Sequence, residues 1–179
     1  MGFLSRFGRK RDRSFRWSHR IGGEGGGRES VLSPPAENAL GPLYVFILSY
    51  NRPIYLWVTL DSLARATKRR DVRFVIQDNC STDARTRDVI ASFERRGVFH
   101  RVILSPTNDP QAVNHWLEEI GDGLGEFFGF VESDVYVYAH DYCWLDRMLV
   151  SMLADPKLAM LGSQIDKSDF VPLERSSQQ

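Results

Sequence analysis

Residues 43–53, LYVFILSYNRP, decide the fold class of this chain. The first seven residues are apolar almost without a break, which is typical of a strand covered on both faces of a parallel sheet. Pro53 suits the first turn of a helix, and Leu56, Leu60 and Leu63 follow it at helical spacing. The stretch therefore predicts a buried strand followed at once by a helix.

The same strand-helix unit repeats along the chain. Predicted strands are RFVIQ (73–77), RVILS (101–105), EFFGFVES (126–133) and LAMLGSQI (158–165). Predicted helices are ARTRDVIASFERRG (84–97), QAVNHWLEEI (111–120) and DYCWLDRMLVSMLADP (141–156). Strands that alternate with helices indicate an α/β fold in which helices flank a mostly parallel sheet.

Residues 1–40 differ in composition from the rest of the chain. They carry eight Lys or Arg against four Asp or Glu, a glycine run and a diproline, without a usable apolar period. We expect a disordered basic tail over 1–40 and one domain over 41–179. Aromatic residues between the arginines, such as Phe7, Phe15 and Trp17, leave open a weak contact with a membrane surface.

The overall composition excludes several classes of protein. A length of 179 residues with 42% hydrophobic residues is enough for one domain with a core, and the net charge of zero argues against nucleic acid as a partner. No apolar run approaches the roughly 20 residues of a membrane span, and the N-terminus lacks the apolar core of a secretory signal. Cys80 and Cys143 form no paired motif, which is typical of thiols in a reducing compartment. We expect a cytoplasmic protein, with a peripheral position at the inner membrane face left open.

Polar side chains collect where the predicted strands end. Ligands of open α/β sheets bind beyond the carboxyl ends of the strands. The candidate binding residues at these ends are Ser49, Tyr50 and Asn51 after the first strand, Asp78 after the second, Asn108 after the third, and Glu132 with Asp134 at the fourth.

The two acids of the fourth strand end suggest a metal site. If the strand continues through Ser133, the carboxylates of Glu132 and Asp134 point the same way. Two like charges in one place are unfavourable unless a cation neutralises them, and hard oxygen ligands select Mg²⁺ or Mn²⁺. The alternative is that both acids are simply solvated where the strand leaves the sheet.

Three motifs in fixed order carry a family resemblance: LSYNRP (48–53), DNCSTD (78–83) and ESD (132–134). Together with the helices between them, they resemble the nucleotide-sugar half of a family 2 glycosyltransferase with the GT-A fold, from residue 43 to about 167. The resemblance implies a GT-A-type, Rossmann-like sheet. It also implies metal-dependent, inverting transfer of a sugar from a nucleotide-diphosphate donor to an acceptor.

The resemblance also implies roles for individual residues. Tyr50 lies near the base of the nucleotide, and Asp78 accepts a hydrogen bond from uracil or an equivalent base, so that a UDP-sugar is the favoured donor. Asp134 is the direct ligand of Mn²⁺ or Mg²⁺, and Glu132 serves the ribose or a metal-bound water. Asn108 matches an asparagine that often follows the third strand.

The resemblance does not extend to an acceptor half. Glycosyltransferases of this class have a second half that binds the acceptor and supplies the catalytic base, whereas this sequence ends at Gln179. We therefore expect a truncated donor-binding domain, and the motifs specify neither the donor sugar, the acceptor, the linkage nor the base. Two alternatives remain: a non-catalytic nucleotide-sugar-binding module or degenerate copy, and a nucleotidyltransferase-like enzyme.

Overall fold

The computed structural model describes residues 2–6 and 33–163. The elements in chain order are β1 (Gly2–Arg6), β2 (Leu43–Ser49), α1 (Pro53–Ala66), β3 (Val72–Asp78), α2 (Ala84–Arg95), β4 (Arg101–Leu104), α3 (Ala112–Ile120), β5 (Phe127–Glu132), α4 (Trp144–Ala154) and β6 (Met160–Gly162). Within these residues, no helix is long and apolar enough to cross a membrane.

The described strands form one sheet in the order β4-β3-β2-β5-β1-β6. β2 lies between β3 and β5 and is parallel to both, and β3 is parallel to β4. β1 is antiparallel to its neighbours β5 and β6. The predicted α/β fold with a mostly parallel sheet is confirmed.

Helices cover both faces of the sheet. Val45 and Ile47 of β2 pack in a core with residues of α1, α2 and α4, whereas Tyr44 and Phe46 pack on the opposite face with Trp116 of α3. Successive residues of a strand point to opposite faces. The nearly unbroken apolar run of β2 is therefore explained by its two covered faces.

The structure places the strand β1 within the segment that was predicted to be mostly disordered. Gly2–Arg6 pairs along its length with β5, and the Leu4 side chain is 0% exposed in the core. Five residues are too few to show a clear hydrophobic period. The partners of β1 are β5 and β6, which lie far away in the sequence, so no local sequence pattern marks the strand. Residues 7–32, with the proposed membrane-contact aromatics, lie outside the described part of the chain.

An ion-pair cluster of Arg69, Asp71 and Asp146 binds the segment before β2 to the domain. The Arg69 guanidinium bonds to Asp71 at 2.6 Å, to Asp146 at 2.8 Å and to the Pro35 carbonyl at 3.0 Å. The Asn38 backbone N–H donates to Asp71 at 2.7 Å. These bonds connect Pro35 and Asn38, which lie before the predicted boundary at residue 41, to the domain.

Candidate functional site

The loops after β2, β3 and β4 meet at one edge of the sheet. Ser49 and Asp78 are partners in the β2–β3 register, so these two strands end side by side. The Asn79 N–H donates to the Ser49 carbonyl at 2.8 Å, and the Ser105 N–H donates to the Asp78 carbonyl at 2.9 Å. The predicted concentration of polar groups at this edge is present in the structure.

Asp78 is buried and held by its own loop. Asp78 is 2% exposed. Its carboxylate accepts hydrogen bonds from the Ser81 N–H, at 3.1 Å, and from the Ser81 hydroxyl. Between them, Cys80 has φ +66°, a left-handed conformation that turns the chain back toward Asp78. The carboxylate is therefore fixed in position at the end of β3.

Asn51 joins the first loop to the second. Its side-chain oxygen accepts from the N–H groups of Thr82 and Asp83 at 2.8 and 2.9 Å, and its own N–H donates to the Ser81 hydroxyl at 2.9 Å. Its φ of +49° lies in the left-handed region, which asparagine tolerates better than most residues. The structure shows a positioning role for Asn51, while its contact with a nucleotide sugar stays a prediction.

Asn108 is brought to the loop that follows β3. The Asn79 side-chain amide donates to the Asn108 side-chain oxygen at 2.6 Å, and the Asp109 N–H donates to the Asn79 oxygen at 3.0 Å. Asn79 is buried. These bonds hold the end of β4 against the end of β3.

Ser49 and Tyr50 have opposite surroundings. Ser49 is fully buried, and its hydroxyl has no hydrogen-bond partner among the described residues. Tyr50 is 43% exposed. Tyr50 can therefore meet a ligand in this conformation, whereas Ser49 needs a rearrangement to do so.

The two acids at the end of β5 are not on one continuous strand. β5 ends at Glu132, and Ser133 with Asp134 forms a turn. Alternation along a strand therefore does not orient the pair as the sequence argument assumed. Glu132 and Asp134 are nevertheless both exposed at the sheet edge, and Ser133 between them is buried.

Arg52 is a residue of the candidate site that the sequence analysis did not single out. Its Nη1 donates to Asp134 Oδ2 at 2.6 Å and thereby links the loop after β2 to the end of β5. A signal was available in the sequence, because two nearby acids favour a cation beside them and the motif YNRP carries one after the first predicted strand.

The sequence pattern described as Glycosyl transferase family 2 matches residues 44–178. The chain belongs to glycosyltransferase family 2.

Solved structures similar to this family 2 glycosyltransferase chain include two of S. aureus TarS. One, of TarS 1-349, is 28% identical with a TM-score of 0.43, covering 53% of this chain and 28% of that chain. The other is 29% identical with a TM-score of 0.44, covering 53% of this chain and 17% of that chain. No curated protein matches the chain. The chain thus spans less than a third of either TarS structure.

Family 2 glycosyltransferases generally use a divalent metal, and this chain carries two carboxylates at the sheet edge. Among the described residues, no group of three or more His, Cys, Asp or Glu side chains could hold a metal ion by itself. Mg²⁺ sites commonly use one or two carboxylates and take their remaining ligands from water and substrate phosphates. Glu132 and Asp134 supply that number of hard oxygen ligands.

Proposed function

We propose that this chain is the donor-binding part of a metal-dependent glycosyltransferase and that it binds a nucleoside-diphosphate sugar at the carboxyl edge of its sheet. The observation that carries the proposal is the fixed, buried carboxylate of Asp78 at the same edge as the acids of β5. A purely structural sheet has no need for an ionisable side chain at this depth, since burying it costs free energy.

Asp78 and Tyr50 form the proposed base-binding part. A carboxylate is a hydrogen-bond acceptor only, so it recognises an N–H group of the base, and uracil offers one. The bonds from Ser81 leave Asp78 further acceptor capacity, because an ionised carboxylate has about four lone-pair sites. The exposed Tyr50 ring offers a flat apolar surface for a base. A UDP-sugar is the donor that suits both groups.

Glu132 and Asp134 form the proposed diphosphate end. They would hold Mn²⁺ or Mg²⁺, which when bound offsets the negative charge that develops on the leaving diphosphate. In the proposed inverting displacement, an acceptor hydroxyl attacks the anomeric carbon while the bond to the diphosphate breaks. The acceptor and the group that takes the hydroxyl proton are left unassigned.

A competition titration tests the donor class. In this experiment UDP-glucose, UDP-N-acetylglucosamine and UTP each compete with UDP for the full chain in the presence of Mn²⁺. We expect at least one UDP-sugar to displace UDP more effectively than UTP does. If UTP binds more tightly than every UDP-sugar tried, the nucleotidyltransferase alternative is favoured instead.

A further inference from the structure

The pair formed by Arg52 and Asp134 places a protein cation on a proposed metal ligand. Arg52 Nη1 lies 2.6 Å from Asp134 Oδ2, so the two side chains form a charge-assisted hydrogen bond. The two residues are 82 positions apart in sequence and come from the loops after β2 and β5. Their contact is therefore built by the sheet and not by local chain geometry.

A divalent cation at Asp134 would weaken this pair. The guanidinium occupies one carboxylate oxygen, and its positive charge repels a metal ion at the same group. The side chains of Arg52 and Asp134 are 57% and 37% exposed, and ion pairs so open to solvent are held weakly. A metal ion with two positive charges can therefore displace the guanidinium.

Arg52 is suited to a second partner. It is the N-cap residue of α1, and its side chain makes no cap hydrogen bond. Movement of this side chain therefore breaks no capping hydrogen bond of the helix. A guanidinium matches phosphate oxygens in a two-pronged arrangement and is always charged. If Asp134 held a metal ion, that ion would bring the diphosphate of a donor toward the loop that carries Arg52.

We propose that Arg52 and the divalent cation compete for Asp134, and that the displaced Arg52 then binds the diphosphate of the donor. The inference rests on the proposed function and adds a residue to it. It makes Arg52 a binding residue whose removal has opposite effects on two ligands.

Two binding measurements on the full chain test the inference, with Arg52→Gln, Arg52→Lys and the control Arg65→Gln. Arg65 is likewise exposed on α1 and pairs with Asp61 at 2.7 Å. In Mn²⁺ titrations followed by electron paramagnetic resonance, without nucleotide, we expect Arg52→Gln to bind Mn²⁺ about two- to fivefold more tightly than the wild type. The control and Arg52→Lys, which keeps the charge, should stay close to the wild type.

The second measurement is UDP affinity at saturating Mn²⁺. Here Arg52→Gln should bind UDP about tenfold or more weakly, because a charged hydrogen-bond donor is lost, and Arg52→Lys should lie between. A merely structural role for Arg52 would weaken both ligands together.

Each contrary result has a distinct meaning. If the wild type binds UDP in a metal-dependent way but Arg52→Gln does not gain Mn²⁺ affinity, the competition is refuted. Unchanged UDP affinity in Arg52→Gln refutes the contact with the diphosphate. If neither the wild type nor Arg52→Gln binds Mn²⁺ or UDP, the proposed function fails and the inference fails with it.

Discussion

Asn51 and Asp78 bond to the same side-chain oxygen, the hydroxyl of Ser81. The Asn51 N–H donates to this oxygen at 2.9 Å, and the hydroxyl itself donates to Asp78. Ser81 is fully buried. A single hydroxyl thus couples the loop after β2 to the carboxylate proposed to read the base.

Ser81→Ala tests this coupling. Loss of the hydroxyl leaves Asp78 with fewer donors and the Asn51 N–H without its acceptor, so we expect UDP affinity to fall about tenfold, which corresponds to the roughly 1–3 kcal/mol cost of an unsatisfied buried group. Calorimetric titration with UDP in Mn²⁺ measures it. Ser151→Ala is the control, because that exposed hydroxyl donates to the Arg147 carbonyl within α4. Equal UDP affinity in both variants would rule out the coupling.

Asp134→Asn tests the metal role. The amide keeps the size of the side chain but loses the charge, so we expect UDP affinity to become the same in Mn²⁺ and in EDTA. The matched control is Asp61→Asn, which removes a carboxylate that pairs with Arg65 on α1. A metal effect on UDP binding that persists in Asp134→Asn would place the metal ion at other ligands.

Leu4→Ala tests the N-terminal strand. Leu4 is 0% exposed in the core, and removing buried methyl groups from such a position costs about 2–5 kcal/mol. Leu104→Ala, at a residue that is 59% exposed, should change the free energy of unfolding little. Urea unfolding followed by circular dichroism makes the comparison. Similar stability of the two variants would mean that β1 does not contribute to the fold.

Asp71 makes stability depend on pH. Burial alone raises its pKa, but hydrogen bonds from Arg69 and from the Asn38 backbone outweigh burial, and the pKa is lowered from the ordinary 3.8. The stabilisation is therefore fully present above about pH 4, the unfolded-state value, and is lost as pH falls through the lower folded-state pKa.

Urea unfolding of Asp71→Asn between pH 3 and pH 7 tests this dependence. We expect a loss of about 3 kcal/mol at pH 7, since one partner of a buried pair is removed, and a smaller loss at the acid end. Asp155→Asn, at an exposed residue whose side chain accepts only a local bond from Lys157, is the control. An equal loss at every pH would show that the charge of Asp71 is not responsible.

The central strands could be predicted because their sequence patterns are local. A strand covered on both faces is apolar throughout, as in β2, and Pro53 marks the start of α1 at the residue predicted. β1 could not be found in this way. Its five residues are stabilised by pairing with β5 and β6, and neither partner is near it in sequence.

The meeting of the motifs at one sheet edge was predictable, but the contacts between them were not. The motifs lie at the same sheet edge because parallel strands end together there, and the binding of a ligand at this edge stays a prediction. The bonds of Asn51 to Thr82 and of Arg52 to Asp134 span 31 and 82 positions. Such partners depend on how the loops fold against each other, which no local pattern of residue types reveals.

Calorimetric titration of the full chain with UDP, once in Mn²⁺ and once in EDTA, tests the central claim most directly. We expect saturable binding of one UDP per chain in Mn²⁺ and a marked loss of affinity in EDTA. Absence of binding in both conditions would contradict the donor site itself, and equal binding in both would contradict the role of the metal.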